Sequence, residues 1–283
     1  MRGALVLLLS TVLALAAIPV EAESQQLELA GLRVAAWIPA ADVPGPWPVL
    51  VFSHGLHGCN VQSKFLMEAL AQAGYAVFAP NHRDAACGNW RQLLTGAEEP
   101  LGQPARWSEK TYADRRDDIE RLLAALAADA RFNGPTFDWQ HLGLLGHSLG
   151  GYTVLGIAGA WPGWKDGRVK AVLALSPYAS PFLSAGSLGG IAVPAMYQTG
   201  TRDFGIAPFV VPRGRAFDQT PRPKYLVDFS RVSHLAWTDL NSSYQAEIVS
   251  YSLAFLDRVL KGKPFPPALA TAHAGVAEVR IVE

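Results

Sequence analysis

Short, nearly continuous apolar runs at residues 48–53, 75–79, 141–145, 169–175, 193–199 and 224–229 have the length of buried strands. Between them, residues 62–73, 113–128 and 244–260 return an apolar side chain every three or four positions, which predicts helices; Gly262 and Pro264 close the last one. A further helix, rich in small residues, is expected from Ser148 to about Gly159. Residues 27–38 alternate around Gly31 and read as an antiparallel hairpin. Strands and helices alternating in this way predict an α/β fold: a mostly parallel sheet with helices on both faces and an antiparallel N-terminal edge. No internal repeat or low-complexity linker interrupts the pattern, so residues 23–283 read as one domain.

Residues 1–22 follow a different pattern. Arg2 gives a positive start, residues 5–18 form an almost unbroken apolar run, and Val20-Glu21-Ala22 supplies the small-x-small site of a secretory signal peptide. A membrane-spanning helix needs about 20 apolar residues, and this run is shorter. Cleavage after Ala22 is therefore expected, giving a secreted or periplasmic protein without a stable membrane anchor. No Cys lies near the cut, so a lipid-anchored form is not indicated.

The chain of 283 residues carries 24 basic and 24 acidic side chains, and 50% of it is hydrophobic. That composition excludes a disordered or fibrous chain and gives no electrostatic reason to expect a nucleic-acid partner. Two cysteines are present, Cys59 and Cys87. In an oxidising compartment they are expected to form one disulfide, contributing about 3 kcal/mol in the loop-entropy model. The alternative is a pair of buried free thiols.

Open parallel sheets collect their chemistry at the carboxyl ends of the strands. Gly146-His147-Ser148-Leu149-Gly150 follows a predicted strand and opens a predicted helix, the setting of a G-x-S-x-G nucleophile elbow. A serine in that turn is strained and its neighbours crowd one another, so the flanking positions must lack bulk. A plain Gly-rich turn with Ser148 as a helix cap is the alternative. A serine hydroxyl attacks only with a base in hydrogen-bond reach and a carboxylate to orient that base. After Ser148 the histidines are His234, behind the last predicted strand, and His273, beyond Pro266-Pro267; His234 is the candidate base. Asp203, in Gly200-Thr201-Arg202-Asp203 after the strand at 193–199, is the candidate acid, whereas Asp228 lies mid-strand and is expected to point into a sheet face. Oxyanion stabilisation needs two backbone N–H groups, expected from Leu149 and from Leu56 in Ser53-His54-Gly55-Leu56. His54, His57 and His82 lack the companion carboxylates or thiolates of a metal site and read as structural hydrogen-bonding groups; no metal and no cofactor is expected.

The blocks Pro48-Val49-Leu50-Val51-Phe52-Ser53-His54-Gly55-Leu56, Ala73-Gly74-Tyr75-Ala76-Val77-Phe78-Ala79-Pro80-Asn81-His82-Arg83-Asp84 and Gly146-His147-Ser148-Leu149-Gly150-Gly151-Tyr152-Thr153 occur in that order. Together they resemble the α/β-hydrolase branch that contains the platelet-activating-factor acetylhydrolases and dienelactone-hydrolase-like secreted esterases, over roughly residues 45–262. The resemblance implies an α/β-hydrolase fold, Ser148 as nucleophile, His234 as base, and Leu56 and Leu149 as oxyanion donors. Two departures narrow it. In the acetylhydrolases the acid follows the strand after the nucleophile helix, where this chain has Ser176; the suitable carboxylate, Asp203, comes one strand later, as in dienelactone hydrolases and cutinase-like polyesterases. Dienelactone hydrolases use a cysteine nucleophile, where this chain has Ser148. Both departures leave the reaction class intact.

Residues 81–110 make a long connection and contain Trp90 and Trp107. Trp90, Tyr178 and Trp237 are the candidate substrate-binding residues, with Pro181-Phe182 at the same sheet edge; loop anchoring is the alternative role for such aromatics. Arg83-Asp84 reads as a structural polar anchor, and Asn241-Ser242-Ser243 as the polar start of the last helix rather than a glycosylation site. No segment after Ser148 is long enough for a large helical lid. The expected function is a secreted serine carboxylester hydrolase acting on small to medium acyl esters, small molecules, through an acyl-enzyme. Rival readings are a cutinase-like polyester or aromatic-ester hydrolase, a peptidase, and a non-catalytic binding module on the same fold.

Overall fold

The computed structural model describes residues 24–89 and 91–283; the expected signal peptide, residues 1–22, and Trp90 lie outside the described residues. Strands β1 (Gln25–Leu29) and β2 (Leu32–Trp37) form the expected hairpin, with Leu29 opposite Leu32. Ala30 and Gly31 bridge them with φ of 51° and 74°, the double left-handed turn whose twist suits a two-residue hairpin.

The parallel centre follows from the apolar runs. It comprises β3 (Trp47–Ser53), β4 (Ala76–Pro80), β5 (Phe137–His147), β6 (Val169–Leu175), β7 (Ala195–Gly200) and β8 (Lys224–Phe229). A last strand, β9 (Val276–Val282), lies antiparallel to β8 and completes the order β1-β2-β4-β3-β5-β6-β7-β8-β9. Its residues beyond Val276 are half-buried or exposed, so no continuous apolar run announced it in the sequence. β5 is longer than the run at 141–145 because its first five residues are partly or fully exposed.

Helices cover both faces. Val49 and Val51 share one core with Ile119, Leu122 and Leu126 of α2 (Ala113–Ala128) and with Tyr152 and Leu155 of α3 (Leu149–Leu155). The alternate residues Leu50 and Phe52 share the other with Leu66 and Leu70 of α1 (Lys64–Gln72) and, across the chain, with residues of the C-terminal helix. Three short helices follow α3: α4 (Ser180–Ala185), α5 (Ala207–Val210) and α6 (Ala216–Gln219). The C-terminal helix α7 (Gln245–Leu260) supplies Ile248, Phe255 and Leu256. Truncating a fully buried leucine such as Leu256 to alanine is expected to cost about 2–5 kcal/mol.

Regular α3 stops at Leu155, short of the expected end near Gly159, and the chain continues as a wider π turn over Gly156–Ala160. Gly159 there has φ 123°, and a Cβ on it would lie 2.2 Å from the Gly190 carbonyl. Backbone crowding, invisible to apolar spacing, ends the helix.

The strand registers bring the functional loops together. Ser53 lies opposite Gly146, His147 opposite Leu175, Leu175 opposite Gln198, and Gly200 opposite Phe229. The loops after β3, β5, β7 and β8 therefore leave one sheet edge, as an open parallel sheet requires. No helix among the described residues is long and apolar enough to cross a membrane.

The expected disulfide is not formed: Cys59 and Cys87 are both free. Cys87 takes a left-handed backbone, φ 42°, and its Sγ donates to Asn81 Oδ1 at 3.6 Å. Cys59 is half-buried, and burial first and its neighbour Cys87 second push its thiol up to about 11. Compartment and loop length, the grounds for expecting a bond, carry no information on these local partners.

Candidate active site

Ser148 sits between β5 and α3 with φ 55° and ψ −115°, a conformation that a residue bearing a Cβ adopts only when its surroundings impose it. They do so here through two backbone bonds, Ser148 N–H to Leu175 O at 3.0 Å and Tyr178 N–H to Ser148 O at 3.0 Å. The flanking glycines are steric necessities. A Cβ on Gly146 would lie 2.2 Å from Gly150 O, and one on Gly150 would lie 1.9 Å from Ser53 O. Gly151 meets Pro177 in the same way, at 2.5 Å.

His234 Nε2 lies 2.9 Å from Ser148 Oγ, and His234 Nδ1 lies 2.8 Å from Asp203 Oδ2. Asp203 is buried and anchored by its N–H to Gly200 O at 2.8 Å. The three side chains singled out from the sequence thus form one hydrogen-bonded line. Ser176 joins it: its hydroxyl donates to Asp203 Oδ2 and lies 2.8 Å from His234 Nδ1. Asp228 is occupied elsewhere, accepting from Thr199 Oγ1 at 2.9 Å within the sheet.

Leu149 is the first residue of α3, so its N–H has no partner inside the helix. Leu56 and Leu149 line the same cavity as Ser148 and His234. The loop carrying Leu56 is held from below by Arg115, whose fully buried guanidinium donates to His54 O at 2.8 Å and Gly55 O at 3.3 Å. Arg115 also pairs with Asp84 at 2.7 Å, and Asp84 accepts the His57 N–H at 3.2 Å. Burial opposes ionisation of Asp84, but the charge and hydrogen bonds of Arg115 outweigh it and hold the carboxyl down to about 2. Asp84 is therefore the structural anchor expected of it, while Arg83 pairs outward with Glu98 and Asp114. His54 and His82 complete the layer as neutral rings: burial first, and Arg115 second, push both well below the usual histidine range. His82 bridges Ser53 Oγ and Asp118 Oδ2, each at 2.9 Å, and His54 Nε2 accepts the His82 N–H at 3.1 Å.

Above this floor opens a cavity of about 930 Å³. Tyr178 lines it, its hydroxyl bound to Leu101 O. Trp237 does not. It is fully buried beneath the site, stacked near His147 with its indole N–H donating to Gln198 Oε1 at 3.1 Å, because the turn after His234 folds back into the core. Trp90 lies outside the described residues, and Trp107 is a buried loop anchor against Tyr112, Tyr152 and Tyr178. Sequence reasoning missed the apolar wall of Leu101, Pro104, Phe204, Ile206, Phe209 and Leu235. A signal was available: Phe204 and Leu235 are the immediate neighbours of Asp203 and His234.

A buried acid, a histidine and a strained serine in line, beside an apolar cavity, can carry out acyl transfer. Residues 29–117 match the family model of platelet-activating factor acetylhydrolase, isoform II. The chain has the α/β-hydrolase fold. The matched segment contains β2 to β4, the Leu56 loop and Arg115, and ends before Ser148; it resembles an α/β-hydrolase branch whose members are hydrolases. No individual curated protein matches the chain.

Proposed function

We propose that this protein is a serine carboxylester hydrolase, exported through its N-terminal leader, that cleaves small to medium acyl esters through an acyl-enzyme. The observation that carries the reading is the line Asp203–His234–Ser148, with contacts of 2.8 and 2.9 Å. His234 Nε2 takes the hydroxyl proton as Ser148 Oγ bonds to the ester carbonyl carbon. The resulting oxyanion accepts from the Leu56 and Leu149 N–H groups, while Asp203 steadies the imidazolium. Collapse of the tetrahedral adduct breaks the bond to the alcohol, which leaves with the proton from His234. Water, deprotonated by the same nitrogen, then adds to the acyl carbon, and the acid departs as Ser148 recovers its proton.

Turnover of p-nitrophenyl acetate and butyrate by the wild-type protein, abolished in Ser148→Ala, tests the reading. Equal rates in the two proteins would refute it. Failure of a fluorophosphonate to label Ser148 in folded protein would favour a binding module on the same fold.

A second reading, cleavage of polymeric or aromatic esters, draws on the cavity mouth. Phe204, Leu101 and Leu235 line it and are 78%, 49% and 49% exposed. Exposed apolar groups ringing a cleft suit a substrate that stays partly outside it. Rates on polyester film and on soluble esters, measured side by side, separate the two.

A further inference from the structure

Gln62, two residues before α1, stands between the Leu56 loop and the elbow. Its Oε1 accepts the Gly55 N–H at 2.9 Å, its Nε2 lies 2.9 Å from His147 Nδ1, and His147 Nε2 lies 3.0 Å from the main-chain oxygen of His234. We infer that Gln62 and His147 form a neutral hydrogen-bonded bridge that holds the oxyanion loop and the His234 turn in register with Ser148, as positioning residues for acyl transfer. The inference rests on the triad reading proposed above.

The polarity of the bridge is fixed at both ends. An N–H can only donate and a carbonyl can only accept, so the amide oxygen faces Gly55, the amide nitrogen donates to His147 Nδ1, and the imidazole proton sits on Nε2, donating to His234 O. The second amide hydrogen of Gln62 points to Ser63 Oγ at 3.4 Å. His147 is suited to this, since burial first, and the neighbouring His234 second, push its pKa down to about 3. The His234 ring packs on it with centroids 4.8 Å apart, Trp237 lies at 6.4 Å, and the Asp203 carboxylate is one hydrogen bond further on.

Space is reserved for the amide. A Cβ on Gly58 would lie 2.0 Å from Gln62 Oε1, and one on Gly55 would lie 3.2 Å from His147 Nδ1, 3.3 Å from Gln62 Oε1 and 3.4 Å from Ser148 Cβ. The same segment also fastens the histidine turn directly: Ser63 Oγ donates to Trp237 O at 2.6 Å, and Gln62 O accepts the Asp239 N–H at 3.1 Å. One residue thus meets all three parts that must keep their spacing during the reaction.

Two substitutions test the bridge against p-nitrophenyl butyrate. Gln62→Leu removes the side-chain bonds to Gly55, Ser63 and His147; kcat should fall about 10- to 100-fold with KM changed less than about threefold, the mark of lost alignment rather than lost binding. Gln62→Glu keeps the shape and the acceptor for Gly55, but sets an oxygen against His147 Nδ1. Either His147 or the new carboxyl must then hold an added proton, which gives the kcat–pH profile an ionisation that the wild type lacks. A folded Gln62→Leu protein with kcat within about twofold of wild type would overturn the inference. Should Gln62→Leu not fold, an unchanged pH profile in Gln62→Glu would overturn it instead. Ser148→Ala is run alongside. Activity surviving there refutes the triad reading, whereas a dead Ser148→Ala with an unaffected Gln62→Leu refutes the bridge alone.

Discussion

Ser176 and His234 share a single oxygen of Asp203: the serine hydroxyl and the imidazole Nδ1 both meet Oδ2, the latter at 2.8 Å. Ser176 follows β6 and Asp203 follows β7, so two neighbouring strand ends converge on one ring nitrogen. Either position is within reach of orienting the histidine. Asp203→Asn is expected to lower kcat by about 10³- to 10⁴-fold, since the amide favours the wrong tautomer. Asp203→Ser combined with Ser176→Asp exchanges the two groups in place and should recover at least about tenfold over Asp203→Asn. Ser176→Asp alone sets two carboxylates at one site, where they compete for one proton. Steady-state kinetics on a soluble ester decides; an exchanged protein no faster than Asp203→Asn would show that only the β7 position supports the histidine.

The convergence of Ser148, Asp203 and His234 was legible because each follows an apolar strand, and parallel strands end together. The elbow was legible because its glycines are obligatory. What escaped were features set by depth rather than by pattern. Trp237 is an aromatic residue three positions after His234, yet the turn buries it under the site, and nothing in its spacing distinguishes the two sides of the loop. Gln62 and Arg115 act through side chains that cross from one element to another, and a linear pattern does not encode such crossings. β9 was hidden because an edge strand needs no continuous apolar run.

The buried histidines make stability depend on pH. His147 is pushed down to about 3 by burial and then by His234, and burial with Arg115 lowers His54 and His82 as well. An unfolded histidine protonates near about pH 6.5, so below that value the unfolded chain binds protons that the folded chain refuses. Stability must therefore rise with pH across this window and fall on acidification. His147 alone accounts for about 1.4 kcal/mol per pH unit, from about pH 6.5 down to about pH 3. Asp84, held down to about 2, contributes in the same direction only below about pH 4, where its unfolded counterpart begins to protonate. Urea unfolding at about pH 7 and about pH 5 should differ by at least about 2 kcal/mol. A flat profile would contradict the neutral, buried assignment.

The two thiols should differ in reactivity. Cys87 is exposed, whereas Cys59 is half-buried, its thiol pushed up to about 11 by burial first and by its neighbour Cys87 second. Since the thiolate is the reactive form, iodoacetamide near neutral pH should label Cys87 at least about tenfold faster than Cys59 in the folded protein. Peptide mapping by mass spectrometry gives both rates. Equal labelling, or protection of both as a linked pair, would contradict the free-thiol arrangement.

Arg115 ties the fold to the candidate site. Its guanidinium is fully buried, pairs with Asp84 at 2.7 Å, and donates to the carbonyls of His54 and Gly55 just before Leu56, which lines the cavity. Arg115→Met removes the cation but leaves Asp84 largely buried with its charge uncompensated, which should cost about 3–5 kcal/mol of stability. Replacing both partners removes that uncompensated charge, so Arg115→Met with Asp84→Leu should be more stable than Arg115→Met alone. Stability and activity then part ways. The double variant regains folding but not the donors to the loop carbonyls, so its kcat should stay about tenfold or more below wild type while its unfolding midpoint recovers. Unfolding curves and kcat measured on the same three proteins separate the two effects; parallel recovery of both would mean that Arg115 serves the fold and leaves the loop to hold itself.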